Sequence, residues 1–521
     1  VQPAVSLDGT LTFTPAAGVS GNATVTVTIS DDGGTANGGS DTTQRTFSIT
    51  LRPINHAPAF TAGGGVFTGI KTAFSQDWAA NISTGDPAGS SQVAVFLVSN
   101  DRPELFAIAP AISPAGRLTF TAGSRAGFAR INVRLQDDGG TAEGGVDTSA
   151  PITFTIRLTS AGEAAGVYRG LTAPPPGVQA EHARLGSWGI VVTSTGTFTG
   201  RIYLGGKAWP LLGRLTDTGL AVFGRFGFAQ PLVRAGKSTL ALKFHTDFSG
   251  SAPRLIGEIL DGTAPFAELP GERDAYSATR RVPTSLRDAA SLGNYTAAFA
   301  ALPEPNGGLD AARYPRGDGW AIVVVNQIGA VSVRGQLADG TAFTYASALN
   351  AANSFPFYLP LYTQRGGIGA QIAFNTTAAT RIETASLAWY RPAIAGALYP
   401  LGWPGGIALG LDGSPRNLIT RSNALPIGRA TLTFADGGIA SAPLSHAVTI
   451  SALNRVTIPP PNPQTILLVL RSTGAWGGTF FHPVTRRKCL FQGVILDHRN
   501  EGTGFFIGGA ESGRATFTPA P

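Results

Sequence analysis

Residues 31–42 read DDGGTANGGSDT, and residues 137–148 read DDGGTAEGGVDT. The two stretches share a lead-in, PAVSLDGTLTFT (3–14) and PAISPAGRLTFT (110–121). They also share a sequel, TFSITL (46–51) and TFTIRL (153–158). A self-match of this extent at a spacing of about a hundred residues marks tandem copies of one module. Around it, TLTFT, ATVTVTIS (23–30) and RINVRLQ (130–136) alternate polar and apolar residues and are rich in Thr and Val. That period of two predicts strands with one buried face. The Gly, Asp and Asn of DDGGTANGG tolerate positive φ, so the stretch reads as a hairpin tip between two such strands.

The second copy has an additional N-terminal half, about residues 59–105, to which nothing corresponds in the first. Residue 1 therefore falls inside a module, and the first copy is expected to expose strand edges and half a core. Two explanations are open. The chain is a fragment of a longer protein, or a neighbouring subunit completes the module by strand addition. The composition contains no Met, where on the order of ten would be average for this length, and this favours an incomplete translated chain.

At 521 residues several domains are expected. Charged residues make up 14%, with 68 Gly, 36 Pro and ordinary apolar content, which fits a folded β-rich chain rather than a disordered one. The net charge of +7 would favour an anionic polysaccharide or cell-surface glycan as partner. The basic residues are scattered, with no footprint for nucleic acid. A single cysteine, Cys489, excludes an internal disulfide framework. It lies in an alternating strand and reads as a small buried apolar residue, with an intermolecular disulfide as the sharper alternative. No apolar run approaches the ~20 residues of a membrane helix, and no signal peptide is present.

Five modules are expected. Residues 1–58 form a partial cadherin/Ig-like module and 59–160 a complete one, joined by RPINHAP (52–58). After SAGEAAG and APPPG, β-meander modules follow at 161–287, 288–398 and 399–521. Their basis is a weaker repeat: 186–215, 317–343 and 467–496 each read strand, Gly turn, strand, Gly turn, strand. Trp188 matches Trp320, and Gly474 falls opposite Gly196. Gly166-Val-Tyr168 and Gly293-Asn-Tyr295 open the first two units. Turn signals every 8–12 residues suggest barrels or sandwiches. The fold class is all-β: tandem Ig/cadherin-like sandwiches followed by barrel-like or sandwich meanders.

LTFTPAAGVSGNATVTVTISDDGGTANGGSDTT with INHAP resembles the bacterial cadherin-like or Ig-like tandem repeats of very large surface proteins. The usual linker of that family reads more like VNDAP, so His56 stands where an Asp is common. The C-terminal units resemble a barrel-like region at the end of surface proteins from Verrucomicrobia-type bacteria, on GQLADGTAF (335–343), FPFYLPLYTQRGGIGAQIAF (355–374), WYRP (389–392) and TFFHPVTRRKCLFQGVILDHRNEGTGFFIGGAESG (479–513). Together the resemblances imply the secreted C-terminal end of a large cell-surface protein, with Pro521 near its terminus.

Asp31, Asp32, Asp41, Asp137, Asp138 and Asp147 form the recurrent carboxylate cluster. Oxygen-rich loops with Gly suit calcium; the plainer reading is that these side chains cap their own backbone amides. The six histidines show no metal spacing, and there is no nucleophile elbow. Glu258, Asp261 and Glu268 lie in one stretch that a glycosidase could use. The tryptophans recur at equivalent strand positions and read as core before sugar platform. Phe355, Phe357, Tyr358 and Tyr362 of FPFYLPLY are the candidate ligand-contact patch, because two prolines there suggest a surface edge. The expected function is non-enzymatic: a subunit or C-terminal part of an extracellular bacterial fibre, layer or adhesin, self-associating through the open β edges of residues 1–58. The alternative is a cell-surface carbohydrate-binding array, attached to an upstream enzyme.

Overall fold

The computed structural model describes the chain from Val1 to Ala520 apart from residues 17–18, 53, 87–90, 251, 303–313, 377–380, 385–386, 397, 419–427, 440–441, 452–454 and 464–465. The fold is all-β: strands joined by turns and 3-10 segments of three or four residues, with no α-helix among the described residues. It divides into two compact units, 1–160 and 161–521.

In the first unit, residues 59–160 build a sandwich. One sheet runs in the order Val66–Gly69, Ile152–Thr159, Gly127–Asp137, Ala94–Asn100. The facing sheet runs Phe106–Ile112, Arg117–Ala122, Ala73–Asp77. The alternation in RINVRLQ places Ile131, Val133 and Leu135 inward at 0% exposure, the first two packed with Leu118, Phe120 and Trp78, while Asn132 and Arg134 face outward. The first copy has the equivalent hairpin, Gly21–Ser30 paired with Thr42–Leu51, and a short pair, Ala4–Val5 with Leu11–Thr12. Its apolar residues are left largely in solvent: Ile29 is 63% exposed and Phe13 38%.

The second unit holds three sheets built on one plan. Each is an antiparallel meander whose first strand pairs with its last. In the first sheet, Gly166–Thr172 pairs with Ala264–Arg273. The far ends meet through a bridge between Leu220 and His245, so the sheet curls into a closed barrel-like form. In the second, Asn294–Ala301 pairs with Trp403–Pro415. In the third, Gly428–Asp436 pairs with Ser512–Pro519. Each encloses its own aromatic core, around Tyr168 and Phe198, around Tyr295 and Trp389, and around Phe434 and Phe491.

Two expectations are corrected here. The boundary at 398/399 cuts the second sheet, because Trp403–Pro415 is its closing strand and its central partner. The 467–496 relative also does not occupy the place of 186–215 and 317–343. Those two follow the first strand of their sheets, whereas Leu467–Leu470, Ala475–Phe481 and Lys488–Leu496 lie in the arm that returns to it. The local match is real: Gly196, Gly329 and Gly474 all turn their hairpins with φ of 81°, 79° and 84°, a conformation that disfavours a Cβ.

The second and third sheets share a seam. Ala298, Ile322, Val494 and Leu496 form a small core there, the Thr296 hydroxyl donates to the Ile495 carbonyl at 2.6 Å, and Arg499 and His498 both reach Asp412, at 2.5 and 3.1 Å. Burial pushes the Asp318 carboxyl upward at this seam, partly offset by Arg514 and by the Thr503 hydroxyl that donates to it.

Candidate functional site

The two acidic loops are congruent. In each, the first Asp accepts the N–H of the Gly two residues on, Asp31 from Gly33 and Asp137 from Gly139, both at 2.9 Å. In each, the backbone N–H of that Asp donates to the carbonyl of the third one, Asp31 to Asp41 and Asp137 to Asp147, again at 2.9 Å. Asn37 and Glu143 sit at the tips with φ of 55° and 56°. The local sequence dictates this: an Asx-type turn, then Gly where φ is positive.

What enters the loops differs. The linker residue Asn55 is buried in the second loop. Its amide nitrogen donates to Asp137 Oδ1 at 2.7 Å and to the carbonyls of Gly140 and Val146 at 3.1 Å each. Its amide oxygen accepts from Gln92 Nε2 at 2.9 Å, and the Val146 N–H donates to its backbone carbonyl at 3.0 Å. Asn55 is a peg, and the loop is its socket. The bond to a buried carboxylate is charge-assisted, hence stronger than a neutral one. The socket needs its glycines: a Cβ on Gly139 would overlap Asn55 Oδ1 and Gln92 Nε2, and one on Gly145 would lie 3.1 Å from Asn55 Cβ. Next door, His56 Nδ1 lies 3.1 Å from Asp86 Oδ1, which also accepts the His56 N–H. The linker is thus fastened at two successive residues, Asn55 and His56.

The carboxylates of the second loop have separate employments. Asp138 accepts the Val93 N–H at 2.8 Å. Asp147 takes the Thr148 hydroxyl at 2.8 Å and Gln136 at 3.3 Å. In the first loop Asp31 and Asp32 are exposed and Asp41 half-buried. Among the described residues, no group of three or more His, Cys, Asp or Glu converges as a metal site would. The capping geometry of the plainer reading is present in both loops.

The aromatic patch is corrected. Phe355, Phe357 and Tyr358 are buried at 2% exposure or less, and Tyr362 is half-buried; none offers a face to a ligand in solution. Their strand, Ser354–Leu361, is indeed last in its sheet. Pro356 and Pro360 lie four residues apart, two full strand periods, so their missing N–H groups both face the unpaired edge, where they cost no ladder bond. That edge is covered from within: the Tyr345 hydroxyl donates to the Pro356 carbonyl at 2.7 Å, and the Gly206 N–H donates to the Tyr358 hydroxyl at 3.1 Å. Tyr362 donates to Asp339 at 2.6 Å and accepts from Trp389 at 3.0 Å, and Asp339 is paired with buried Arg391 at 3.1 Å. This network joins loops at the two ends of the second sheet. It is fully engaged with protein groups.

Trp188, Trp389, Trp403 and Trp476 are buried, and Trp209 and Trp320 half-buried, so they are core rather than a sugar platform. Cys489 lies buried in the third core, where burial raises its thiol. His482 is wholly buried; its Nε2 meets the Gly437 carbonyl at 3.0 Å while Nδ1 receives the N–H groups of Val484 and Thr485. Of the carboxylates in GEILDGTAPFAE, Glu258 and Glu268 are cross-strand neighbours. They line an outer cleft of about 870 Å³ with Lys243, His245, Arg254 and Phe228. Asp261 faces elsewhere, bonded to Ser238 at 2.8 Å and Arg234 at 3.2 Å.

Sequence reasoning overlooked Asn55 itself. Within INHAP, Asn55 carries no local signal that sets it apart from an ordinary linker residue. With only one such linker in the chain, nothing recurs to single out the asparagine.

No protein-family model and no curated protein matches the chain. The solved structures that match include two of very low likeness. An endo-1,5-alpha-L-arabinanase from Thermotoga petrophila RKU-1 is 10% identical over 56% of this chain and 83% of its own, with a TM-score of 0.16. The isotype 1 transferrin binding protein B from serogroup B Neisseria meningitidis is 10% identical over 75% of this chain and 83% of its own, also with a TM-score of 0.16.

Proposed function

We propose that this chain is a non-enzymatic structural protein of the bacterial cell surface, a subunit or C-terminal part of a secreted fibre, layer or adhesin, built of β modules and joined to its neighbours through the first copy. One observation carries the reading. The first copy presents apolar side chains, among them Leu11, Phe13, Ile29 and Phe47, to solvent at positions whose twins in the second copy make a core. Exposed apolar faces of this kind mark interaction surfaces, and open hairpins accept further strands. A heterologous contact that does not close yields filaments. Electron microscopy and sedimentation of the full chain test this. Concentration-dependent oligomers, dispersed by Ile29→Asp with Phe47→Asp, are expected. A chain that stays monomeric at high concentration, with no ordered assemblies, overturns the reading.

The alternative is a carbohydrate-binding surface. The outer cleft holding Glu258, Glu268, Lys243 and Arg254 beside the 60%-exposed Phe228 favours it, since sugars take an aromatic face with flanking polar groups. Retention on insoluble polysaccharide, abolished by Phe228→Ala, is its signature.

A further inference from the structure

We propose that the loop at residues 31–42 is a socket for an asparagine peg: it receives an extended Ile-Asn-X-Ala-Pro segment, as residues 54–58 enter the loop at 137–148. This inference rests on the reading of the two copies as joinable structural modules, and it names the chemistry of the joint.

The occupied twin is the direct precedent. Matching the loops residue by residue, the three acceptors of the Asn55 amide correspond to Asp31 Oδ1 and the carbonyls of Gly34 and Ser40. The donor to its backbone carbonyl corresponds to the Ser40 N–H. The backbone that aims these groups is the same in both loops. Gly34 and Gly140 have φ of 74° and 75°, and Gly38 and Gly144 of 82° and 86°. Gly39 and Gly145 donate to the carbonyls of Ala36 and Ala142 at 3.2 and 3.0 Å.

The glycines supply an independent argument. In the second loop Gly139 is explained by the peg, because a Cβ there would lie 2.3 Å from Asn55 Oδ1; at Gly145 the loop's own Gly140 carbonyl, at 3.0 Å, is as close as Asn55. Their φ values do not call for glycine. In the first loop Gly33 and Gly39 stand at the same places, yet a Cβ on either would meet only the loop's own atoms. Residues 31–40 are exposed, and among the described residues no side chain from elsewhere enters. The first loop thus repeats, at Gly33, the small residue that in the second loop makes room for the peg. Three acceptors centred on one carboxylate, with an adjacent N–H donor, suit asparagine when one of the two N–H groups on its amide nitrogen is shared between two acceptors and its backbone carbonyl accepts.

The test uses the full chain and a synthetic peptide, RPINHAPAF, the sequence of residues 52–60, observed by saturation-transfer NMR and titrated by calorimetry. The expected result is saturable binding of one peptide per chain. Affinity should fall about tenfold or more when the peptide carries Asn55→Ala, the loss of bonds including a charge-assisted one. It should fall similarly in the Gly33→Ala protein, and also in Asp31→Ala, which does not crowd the loop; circular dichroism of both variants should match wild type. Absence of saturable binding at millimolar peptide overturns the proposal, as does binding that survives both Gly33→Ala and Asp31→Ala or the peptide substitution. Oligomers that form although no peptide binds discard the socket and leave the assembly reading standing. Peptide binding by a chain that never oligomerises keeps the socket and removes the assembly.

Discussion

The two copies of the acidic-loop module share ten of twelve loop residues and the same strand pattern on either side, and have opposite surroundings. Ile131, Val133 and Leu135 of the second copy are sealed, while their counterparts Val25 and Val27 are half-buried and Ile29 is open. Phe120 is 3% exposed and its twin Phe13 38%. The hairpins nonetheless pair in the same register on either side of the same loop. The difference teaches that alternation and turn chemistry suffice to shape the hairpin, whereas burial comes from the half-module at 59–105 and from the linker that pegs the loop. A lone two-stranded hairpin is marginal in water, so the first copy has little stability of its own.

The sharpest way to break the comparison is through the paired phenylalanines. Phe120 stacks on Phe74 at 4.8 Å between centroids and meets Phe106 edge-on at 5.6 Å. Phe120→Ala should cost about 3–5 kcal/mol of unfolding free energy in residues 59–160, the range for emptying a core aromatic site. Phe13→Ala should cost under about 1 kcal/mol in the isolated chain, as surface truncations do. Denaturant unfolding with amide exchange at 131–135 and 25–29 reads both. Equal costs would mean that the first copy is already completed in solution, by a second molecule.

The next contrast is the peg. Asn55→Ala strips Asp137 of its side-chain donor inside a buried site and should destabilise the first unit by about 3 kcal/mol. Asp31→Ala, at the corresponding loop, should change stability by no more than about 0.5 kcal/mol, because the carboxylate there is solvated. A large effect of Asp31→Ala in the monomer would show that its loop is rigidified by something other than a peg.

The contrast between loops also shows what a sequence displays and what it hides. Strand alternation and the Asp-Gly turns are local, so the all-β class, the hairpins and the capping Asp residues were legible at once. The prolines of FPFYLPLY correctly marked an edge strand, since a missing N–H is a local fact. That Phe355 and Phe357 are nevertheless buried depends on Tyr345 and on sheets distant in sequence, which no local pattern encodes. The misplaced boundary at 398 has the same origin. Trp403–Pro415 pairs with Asn294–Ala301, a first-to-last closure that carries no signature of its own. Asn55 bonds a carboxylate 82 residues away, and its chemistry is indistinguishable in the sequence from that of any linker asparagine.

The smallest expected effect is also the most discriminating, because it isolates the space the peg occupies from the bonds it makes. Gly139→Ala adds a methyl group where Asn55 Oδ1 and Gln92 Nε2 already lie. The φ of Gly139 lies outside the left-handed region, so alanine brings no backbone strain there; the cost comes from expelling the peg and should be about 2 kcal/mol, within the range for overpacking. At Gly33 the same methyl would meet only the Asp31 side chain, its Oδ1 at 2.9 Å; that side chain is exposed and can turn aside at the cost of its one solvent-exposed bond from the Gly33 N–H. Gly33→Ala should therefore alter the melting of the isolated chain by no more than about 0.5 kcal/mol, with a slight gain possible from the lower entropy of the unfolded chain. Once a peg is bound, the same substitution should remove all of the stabilisation the peg confers. A glycine that is dispensable in the free chain and indispensable in the joined one has been kept for the joint. If Gly33→Ala unfolds the free hairpin instead, its glycine serves the local turn, and the likeness between the loops says nothing about a partner.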